Sequence, residues 1–431
     1  MPVRFSVFEH AALREGDVVD GVAFAAEHRV ALESAYRDKD FPYYRLVRRG
    51  VQFCEYVGVF QAGGVTVEVL PKADGDSDTR RWRDGLLGML LATSGLKAQA
   101  PSNAALRLAP RSILDFYLAL FVAELDTLVQ RGLIRRYRQA EGNSTALRGA
   151  LVFGKHIQHN HTHQERFYVR HTEYTRRHPL HAVLLQALRL VERLNTAPAL
   201  RGPIAALALA FPEQDRVRAD AAWFDRWRHD RKSEPYRTAL DIARLLLLNY
   251  HPDIRGGSDY VLALMFDMNV LWEKFVFASL RRHLGNGCQV SAKAGAPLWR
   301  RQGETRAVAV YPDIVVHAGE RRVVLDTKWK VPGSSPSVHD LRQMYAYSRL
   351  HGAAPTALVY PGSAETFHAG AFLDGDGALC GMLSVPACHD IGKWQRQIAD
   401  AVRHHILPSP SMNAGARPEA TARHSLTPTH R

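Results

Sequence analysis

One stretch in the last third of the chain most constrains the fold: residues 308–330, VAVYPDIVVHAGERRVVLDTKWK. It contains two runs rich in β-branched residues, 308–316 and 322–329, joined by a short connection that includes Gly319. Two such runs around a glycine-containing connection are typical of a β-hairpin. The sequence therefore predicts a hairpin that carries an acidic residue on each side of its turn.

The register of this hairpin decides what chemistry it can support. If Gly319 and Glu320 form a two-residue loop, with glycine first as a type II′ turn prefers, Asp313 lies opposite Asp326. Directly opposed residues have Cβ atoms only ~4.5–5.5 Å apart, so two ionised carboxylates there would repel each other or raise the pKa of one of them unless a cation lies between them. Lys328 points to the same face, two residues beyond Asp326. Two carboxylates and an amine predict metal-assisted hydrolysis, with hard oxygen ligands for Mg²⁺ and a lysine that orients or deprotonates the attacking water.

A helix is predicted directly after the hairpin, in residues 337–352, SVHDLRQMYAYSRLHG. Ser337 is a suitable N-cap, Asp340 occupies the third position of a capping box, and the final glycine ends the helix. Gln343 and Tyr347 are then four residues apart on one helical face.

These residues resemble a known nuclease signature. Pro312-Asp313, twelve intervening residues and Asp326-Thr327-Lys328 look like the PD-(D/E)xK motif. The Q-x-x-x-Y helix that follows is similar to the RecB-like branch, in which these two side chains orient the catalytic lysine and the substrate phosphate. A preceding helix in that branch also offers a carboxylate to the metal. The resemblance implies catalytic Asp313, Asp326, Lys328, Gln343 and Tyr347, and Mg²⁺ ligands Asp313, Asp326 and Glu273.

Other interpretations of these residues remain open. A D-x-K sequence on a strand is also typical of a solvated edge face, and the tyrosine of the next helix could simply pack in the core. Glu273 is followed by a lysine in a predicted amphipathic helix, where such pairs usually lie on the surface. Lys330 would project to the active-site side and contact a flanking phosphate.

Composition indicates the class of partner. Lysine and arginine number 56 against 43 acidic residues, a formal net charge of +13 in 431 residues, which is expected for a protein that binds a polyanion such as DNA. The four cysteines form no C-x-x-C pair, so neither a disulfide framework nor a zinc ribbon is indicated, as expected in the cytoplasm. The N-terminus does not resemble a signal peptide, and the apolar runs are short and interrupted by charges, so no membrane span is expected.

The pattern along the chain predicts an α/β protein, α+β overall, with several domains. Residues 1–75 are predicted to be β-rich, 76–255 helical and basic, 256–407 a PD-(D/E)xK restriction-endonuclease-like domain, and 408–431 a disordered tail. The predicted strands are 43–48, 51–61, 65–70, 357–360, 367–372 and 382–385. The predicted helices are 82–92, 112–130, several within 179–250, 260–284 and 390–406.

Residues 131–181 are the most basic segment, with ten arginines and lysines against three glutamates. Such a segment could hold phosphates in a salt-dependent manner or face an acidic partner, and the sequence does not separate the two. It contains His156, His159, His161 and His163, but with no cysteine nearby and a polar, loop-like setting, their spacing argues against a metal site.

Two further segments resemble the McrC family. The first is residues 55–73, EYVGVFQAGGVTVEVLPKA, and the second is LRGALVFGKHI at 147–157 followed by RHTEYTRRHPLHAVLLQAL at 170–188. With the nuclease motif, three signatures occur in the order that McrC proteins have. The resemblance covers roughly residues 51–406.

The McrC resemblance implies a function and a partner. McrC is the nuclease subunit of a restriction system that defends against foreign DNA carrying modified cytosine such as 5-methylcytosine. It docks on McrB, a AAA+ GTPase, and stimulates GTP hydrolysis; residues 1–75 would be the docking domain. The chain has no P-loop G-x-x-x-x-G-K-[ST], in keeping with a separate motor. A stand-alone RecB-like DNA nuclease and a catalytically inactive DNA-binding adaptor remain alternatives.

Overall fold

The chain divides into two compact units in the computed structural model. The structure describes residues 3–36, 41–73, 78–93, 112–252, 260–352, 354–373 and 377–407. One unit comprises residues 1–72 with 76–271, and the other 73–75 with 272–431. The predicted β-rich and helical regions thus share one unit, and the second unit begins at residue 272, where the sequence analysis placed a boundary at 256. The predicted tail, 408–431, lies outside the described residues.

The first unit contains a mixed five-stranded sheet. Its N-terminal elements are β1 (Val3–Phe8), β2 (Ala12–Arg14), β3 (Val18–Val19), β4 (Val22–Ala23), α1 (Ala26–Ala35), β5 (Tyr44–Val47), β6 (Gly50–Phe53), β7 (Tyr56–Ala62) and β8 (Val65–Leu70). With β12 (Tyr250–Pro252) and β13 (Tyr260–Asp267), the sheet has the order β1-β8-β7-β13-β12. β1 and β8 are parallel, and β8 is buried along its whole length. The predicted single strand at 51–61 is two strands, and helix α1 was not predicted.

The predicted helix at 260–284 is wrong in its first part. Residues Tyr260–Asp267 form β13, which pairs antiparallel with β7, and helix α9 (Met268–His283) begins only after it. The backbones approach closely because Gly58 has no side chain: a Cβ there would lie 2.0 Å from the carbonyl oxygen of Leu264. Asp267 then accepts the backbone N–H of Asn269 at 2.8 Å, which caps the new helix.

Helices pack together in the rest of the first unit, as predicted. They are α2 (Thr79–Thr93), α3 (Ile113–Arg131), α5 (Pro179–Leu194), α6 (Pro198–Ala210), α7 (Ala221–Arg226) and α8 (Arg237–Leu248), with a 3-10 turn at Glu234–Tyr236. Ser112 caps α3 by accepting the N–H of Asp115 at 2.9 Å. Tyr236 is buried, and Trp223 stacks on Trp227 with ring centroids 5.5 Å apart.

The basic segment contains helix and strands, so the predicted loop-like setting is wrong for His156 and His159, whereas His161 and His163 lie outside any helix or strand, as predicted. It contains β9 (Arg136–Ser144), β10 (Ala150–Leu151), α4 (Phe153–Asn160) and β11 (Phe167–Thr175), and the strand order is β10-β11-β9. His156 and His159 lie on α4 and stack on Phe167 and Tyr168, with centroids 6.0 and 5.2 Å apart. His156 and His159 therefore help to pack α4 on β11.

The second unit contains a six-stranded sheet of order β14-β17-β18-β19-β21-β20. Its elements are β14 (Cys288–Ala292), β15 (Ala296–Arg300), β16 (Ala307–Val310), β17 (Ile314–Ala318), β18 (Arg321–Thr327), α10 (Val338–Leu350), β19 (Thr356–Gly362), β20 (Thr366–Ala371), β21 (Leu379–Pro386) and α11 (Ile391–His405). The central pairs β18-β19 and β19-β21 are parallel. Trp272 and Trp394 are buried with their ring centroids 5.6 Å apart, and both pack large apolar side chains into the core. The predicted mixed α/β class is confirmed.

Among the residues that the structure describes, no helix is both long and apolar enough to cross a membrane.

Candidate active site

The predicted hairpin and its register are confirmed. β17 and β18 pair antiparallel with Ala318 opposite Arg321 and Ile314 opposite Leu325. Gly319 adopts φ 62°, the left-handed conformation that the first central position of a type II′ turn requires. Asp313 directly precedes Ile314 and Asp326 directly follows Leu325, so both acids lie at this end of the ladder, where the same register continued by one step would place them opposite each other.

Asp313 is fixed by the strand opposite it. Its Oδ2 accepts both the backbone N–H and the hydroxyl of Thr327, each at 2.8 Å. Because both bonds use the same oxygen, the second carboxylate oxygen is left for another ligand.

Asp326 is the most buried acid of the site, with 1% of its surface exposed. Its Oδ1 accepts the amide of Gln343 at 3.1 Å. Oδ2 lies 2.8 Å from the Lys328 ammonium, but this buried atom accepts no well-aligned hydrogen bond. Burial and the charge of Asp313 raise the pKa of Asp326 to about 6, against the lowering effect of Lys328. The attraction of Lys328 therefore does not fully offset the burial of the ionised Asp326 carboxylate and its repulsion by Asp313.

Gln343 joins the lysine to the acid. Its Oε1 accepts the Lys328 ammonium at 3.1 Å, and its Nε2 donates to Asp326 and to the Tyr347 hydroxyl, the latter at 2.9 Å. Tyr347 donates in turn to the carbonyl of Tyr311 at 3.1 Å. The structure therefore brings together all five residues that the sequence analysis named as catalytic.

The ammonium form of Lys328 is favoured. Burial alone would lower the pKa of Lys328, but Asp326 and Asp340 outweigh it and raise the pKa above its usual value. Lys328 therefore carries a positive charge at neutral pH.

Glu273, on α9, is close to the acid pair but is not part of a compact ligand cluster. Burial, and then the charge of Asp313, raises the pKa of Glu273, while Lys293 Nζ lies 3.6 Å from its carboxylate. Among the described residues, no three His, Cys, Asp or Glu side chains are grouped so as to hold a metal ion. The role of Glu273 as a metal ligand stays a prediction.

Two charged residues beside this site were not predicted from the sequence. Asp340, buried on α10, lies 2.7 Å from Lys330 Nζ and 3.7 Å from Lys328 Nζ. Burial would raise the pKa of Asp340, but the bonds from Lys330 and Ser337 prevail and lower it. Lys330 forms an ion pair with this acid, and its contact with a flanking phosphate stays a prediction.

Lys293 is the second missed residue. It has φ 52°, unusual for a residue with a side chain, and its N–H donates to the carbonyl of Asp313 at 3.2 Å. No sequence pattern marks Lys293, whereas Asp340 lies three and seven residues before Gln343 and Tyr347, on one helical face.

The donor set suits Mg²⁺. This ion is usually bound by one or two carboxylates, with water and substrate phosphate in the remaining positions. Asp313 has a carboxylate oxygen that Thr327 does not use, and Asp326 has a buried oxygen without a well-aligned donor. Two hard oxygen donors on one edge, beside an ammonium, are fitted to divalent-metal-assisted hydrolysis of a phosphodiester.

Comparisons with known proteins agree on one family. The family described as McrBC 5-methylcytosine restriction system component matches residues 51–361. No curated protein matches the chain.

Two solved structures from Thermococcus gammatolerans are similar in fold. One is a chain of the refined half-complex from a tetradecameric assembly of McrB AAA+ hexamers with bound McrC, at 21% identity and a TM-score of 0.72, with 93% of this chain and 99% of that chain covered. The other is a chain of the McrBC complex, at 22% identity and a TM-score of 0.52, with 66% and 89% covered. Because the family match spans well over half of the sequence, this protein belongs to the family of McrBC 5-methylcytosine restriction system components, and the predicted McrC membership is confirmed.

Proposed function

We propose that this protein is the nuclease subunit of a McrBC-type restriction system. It cuts phosphodiester bonds in DNA that carries modified cytosine, with Mg²⁺, together with a AAA+ GTPase that it stimulates. The observation that carries the proposal is the joining of Asp326 and Lys328 by one amide, that of Gln343, beside Asp313.

Each side chain has a role in this proposal. Asp313 and Asp326 would hold the metal, which supplies neutralisation of charge on the scissile phosphate and the leaving oxygen. Lys328 orients the attacking water and does not deprotonate it, because its raised pKa keeps it an ammonium. Gln343 and Tyr347 hold Lys328 and Asp326 in place.

The partner is inferred from the relatives. One similar solved structure is described as McrB AAA+ hexamers with bound McrC, and we propose a comparable motor for this chain. Within the predicted docking domain, residues 1–75, the segment that resembles McrC, residues 55–73, contains strands β7 and β8 in the interior of the sheet. Deleting it would remove the core of the first unit, so a deletion there would not test docking.

The proposed function is tested by two single substitutions. The full chain is mixed with its AAA+ partner, GTP, Mg²⁺ and DNA containing 5-methylcytosine. Asp326→Ala and Lys328→Ala should reduce cleavage below detection and leave stimulation of GTP hydrolysis intact, because neither changes the first unit. Arg281→Ala, an exposed arginine in the last turn of α9, is the matched control and should cut normally.

The same assay distinguishes the alternatives. Cleavage by the wild-type chain and Mg²⁺ without the motor would identify a stand-alone nuclease. Cleavage that survives Lys328→Ala, or loss of GTPase stimulation in both variants, would contradict the proposed site.

A further inference from the structure

A small two-stranded sheet extends from the edge of the active site. β15 and β16 pair antiparallel with each other and do not belong to the six-stranded sheet. Only Tyr311 and Pro312 separate the end of β16 from Asp313. We call residues 296–310 the flap. Any molecule that lies on the base of the flap also lies next to the acid pair.

The flap exposes large apolar side chains. Trp299 and Val308 face each other across the ladder and are 59% and 56% exposed. The register shifts between Pro297 and Trp299, so Leu298 is the extra residue of a β-bulge and is 52% exposed. Bulges re-aim side chains and are frequent beside active sites. Three neighbouring apolar groups on a thin ribbon indicate a binding surface, since soluble proteins rarely leave such groups together in water.

The flap is also positively charged. Residues 300–306, which are the last residue of β15 and its connection to β16, contain three arginines and one glutamate. Arg301 forms an ion pair with Glu304 at 3.3 Å. Arg300 and Arg306 are exposed, and their guanidinium groups form no ion pair or hydrogen bond with any residue in the described part of the chain. Two uncommitted guanidinium groups beside exposed apolar surface favour a polyanion that also offers apolar faces.

The base of the flap is fastened to the active-site helix. The Tyr311 ring lies against the backbone at Gly295, where a Cβ would come within 2.5 Å of it. The Tyr311 carbonyl accepts the Tyr347 hydroxyl at 3.1 Å. This contact couples the position of the flap to α10, which also carries Gln343.

We propose that the flap is a DNA-positioning element that grips the duplex next to the scissile phosphate. Arg300 and Arg306 contact backbone phosphates, and Trp299 with Leu298 packs on sugars and base edges in the groove, which admits a two-stranded ribbon. This inference rests on the proposed nuclease function. Charge complementarity and continuity with the acid pair single out duplex DNA as the occupant.

The test measures duplex binding by the full chain in the cleavage-inactive Lys328→Ala background. A fluorescently labelled duplex of 30 base pairs with 5-methylcytosine is titrated at several salt concentrations, and anisotropy gives the affinity. Arg300→Ala with Arg306→Ala should weaken binding about tenfold or more and reduce the slope of log K against log salt by about 2, ~0.9 for each phosphate contact. Trp299→Ala should weaken binding with the slope unchanged, because it removes no charge.

Matched variants make the result specific. Arg301→Ala removes an arginine already paired with Glu304 and should weaken binding less than Arg300→Ala combined with Arg306→Ala. Arg281→Ala on α9 should bind DNA as tightly as the parent. Retained stimulation of the partner GTPase would show that each variant is folded.

The flap proposal would be overturned if the parent chain, Lys328→Ala, did not bind duplex DNA, or if the flap variants bound DNA as tightly as this parent. It would also be overturned if the flap variants lost only the stimulation of the partner GTPase, because this surface would then bind a protein. Failure of the proposed function is a separate outcome. It appears as weakened binding in the flap variants while the wild-type chain with partner, GTP and Mg²⁺ leaves the DNA uncut.

Discussion

Gln343 offers a donor and an acceptor at the same time, and the candidate active site uses both. Its carbonyl accepts Lys328 while its amino group donates to Asp326 and Tyr347. A carboxylate in its place could not donate a hydrogen bond to Asp326, and an alanine would remove the carbonyl that holds the Lys328 ammonium beside that acid. We therefore regard Gln343 as a positioning residue.

Removing this amide should affect turnover more than substrate binding. Gln343→Ala is expected to lower kcat about 10- to 100-fold, as outer-shell changes around metal ligands do, with KM for DNA within about threefold. Gln343→Glu should not rescue it, because a third negative charge would face Asp326. Steady-state cleavage at several DNA concentrations separates kcat from KM. A change confined to KM would assign Gln343 to substrate binding instead.

Asp326 should carry a stability cost for its function. Its pKa is raised to about 6, so the ionised form is disfavoured in the folded, metal-free protein. Asp326→Asn keeps the acceptor for Gln343 and removes the charge. In EDTA at pH 8 we expect the variant to be more stable by about 1–2 kcal/mol, and cleavage to be lost. Urea unfolding, monitored by tryptophan fluorescence, provides the measurement. A less stable variant would contradict the prediction that ionised Asp326 destabilises the folded protein.

At the scale of residues, the sequence predicts what a regular repeat determines. The facing of Asp313 and Asp326 follows from a two-residue loop and a side-chain period of two, and Gln343 with Tyr347 follows from helical spacing. Lys293 could not be found in this way, because its position depends on a left-handed backbone residue after β14. Contacts that depend on irregular backbone produce no regular spacing of residues in the sequence, so the sequence does not predict them.

Elements in the first unit are joined by one buried carboxylate. Glu68 on β8 is fully buried. One of its carboxylate oxygens accepts two hydrogen bonds from the Arg83 guanidinium of α2, at 2.6 and 2.9 Å. The other accepts the backbone N–H of Ile113, the first residue of α3, at 2.9 Å. Glu68 is the glutamate of the EVLPK segment that resembles McrC. Its contacts assign this signature residue a role in the fold.

Removing the partner of Glu68 should be costly. Arg83→Met leaves a buried carboxylate without its cation, and we expect a loss of about 3–5 kcal/mol in unfolding free energy. The double variant Glu68→Gln with Arg83→Met should recover much of the loss, because glutamine is neutral and still accepts the Ile113 N–H. Urea denaturation of both variants checks this. Additive losses in the double variant would show that the pair is not coupled.

A second element-scale prediction concerns pH. His178 caps α5 by accepting the Leu180 N–H at 3.2 Å, which requires a neutral ring. Burial, followed by the charges of His181 and Arg136, lowers the pKa of His178 to about 4 from 6.5. The unfolded chain therefore binds the proton more readily, so this group's stability is complete above pH 6.5 and is lost progressively toward pH 4.

His178→Asn keeps a capping acceptor and cannot titrate in this range. We expect its urea midpoint to fall less between pH 7 and pH 5 than that of the wild type. An equal fall in both proteins would show that His178 does not contribute to the pH dependence.

Element types were predictable where length and capping agreed, and not where a short apolar run stood alone. Ser112 and Asp390 are the N-caps of α3 and α11, at the residues where the predicted helices 112–130 and 390–406 begin. The run at 260–267 fits a buried strand and a buried helix equally well, and pairing with distant β7 decides between them. Such long-range pairing is not written in the local sequence.

On the scale of the whole molecule, each compact unit has its own buried core. In the first, apolar side chains of β1, β6, β7 and β8 pack with α1. In the second, the central strands of the six-stranded sheet pack against α10. Units with separate cores generally unfold as separate cooperative units, and a single free energy of unfolding does not then describe the chain.

The two stability variants should therefore act on different transitions. In calorimetry in EDTA we expect two transitions in the wild type. Arg83→Met should lower one of them, and Asp326→Asn should raise the other by roughly 2–8 °C, as expected for about 1–2 kcal/mol in a unit of this size. The double variant should show both shifts, because sites in different cores are additive. A single transition that both substitutions move would mean that the second unit depends on the first unit for its fold, and that the candidate active site unfolds only with the whole chain.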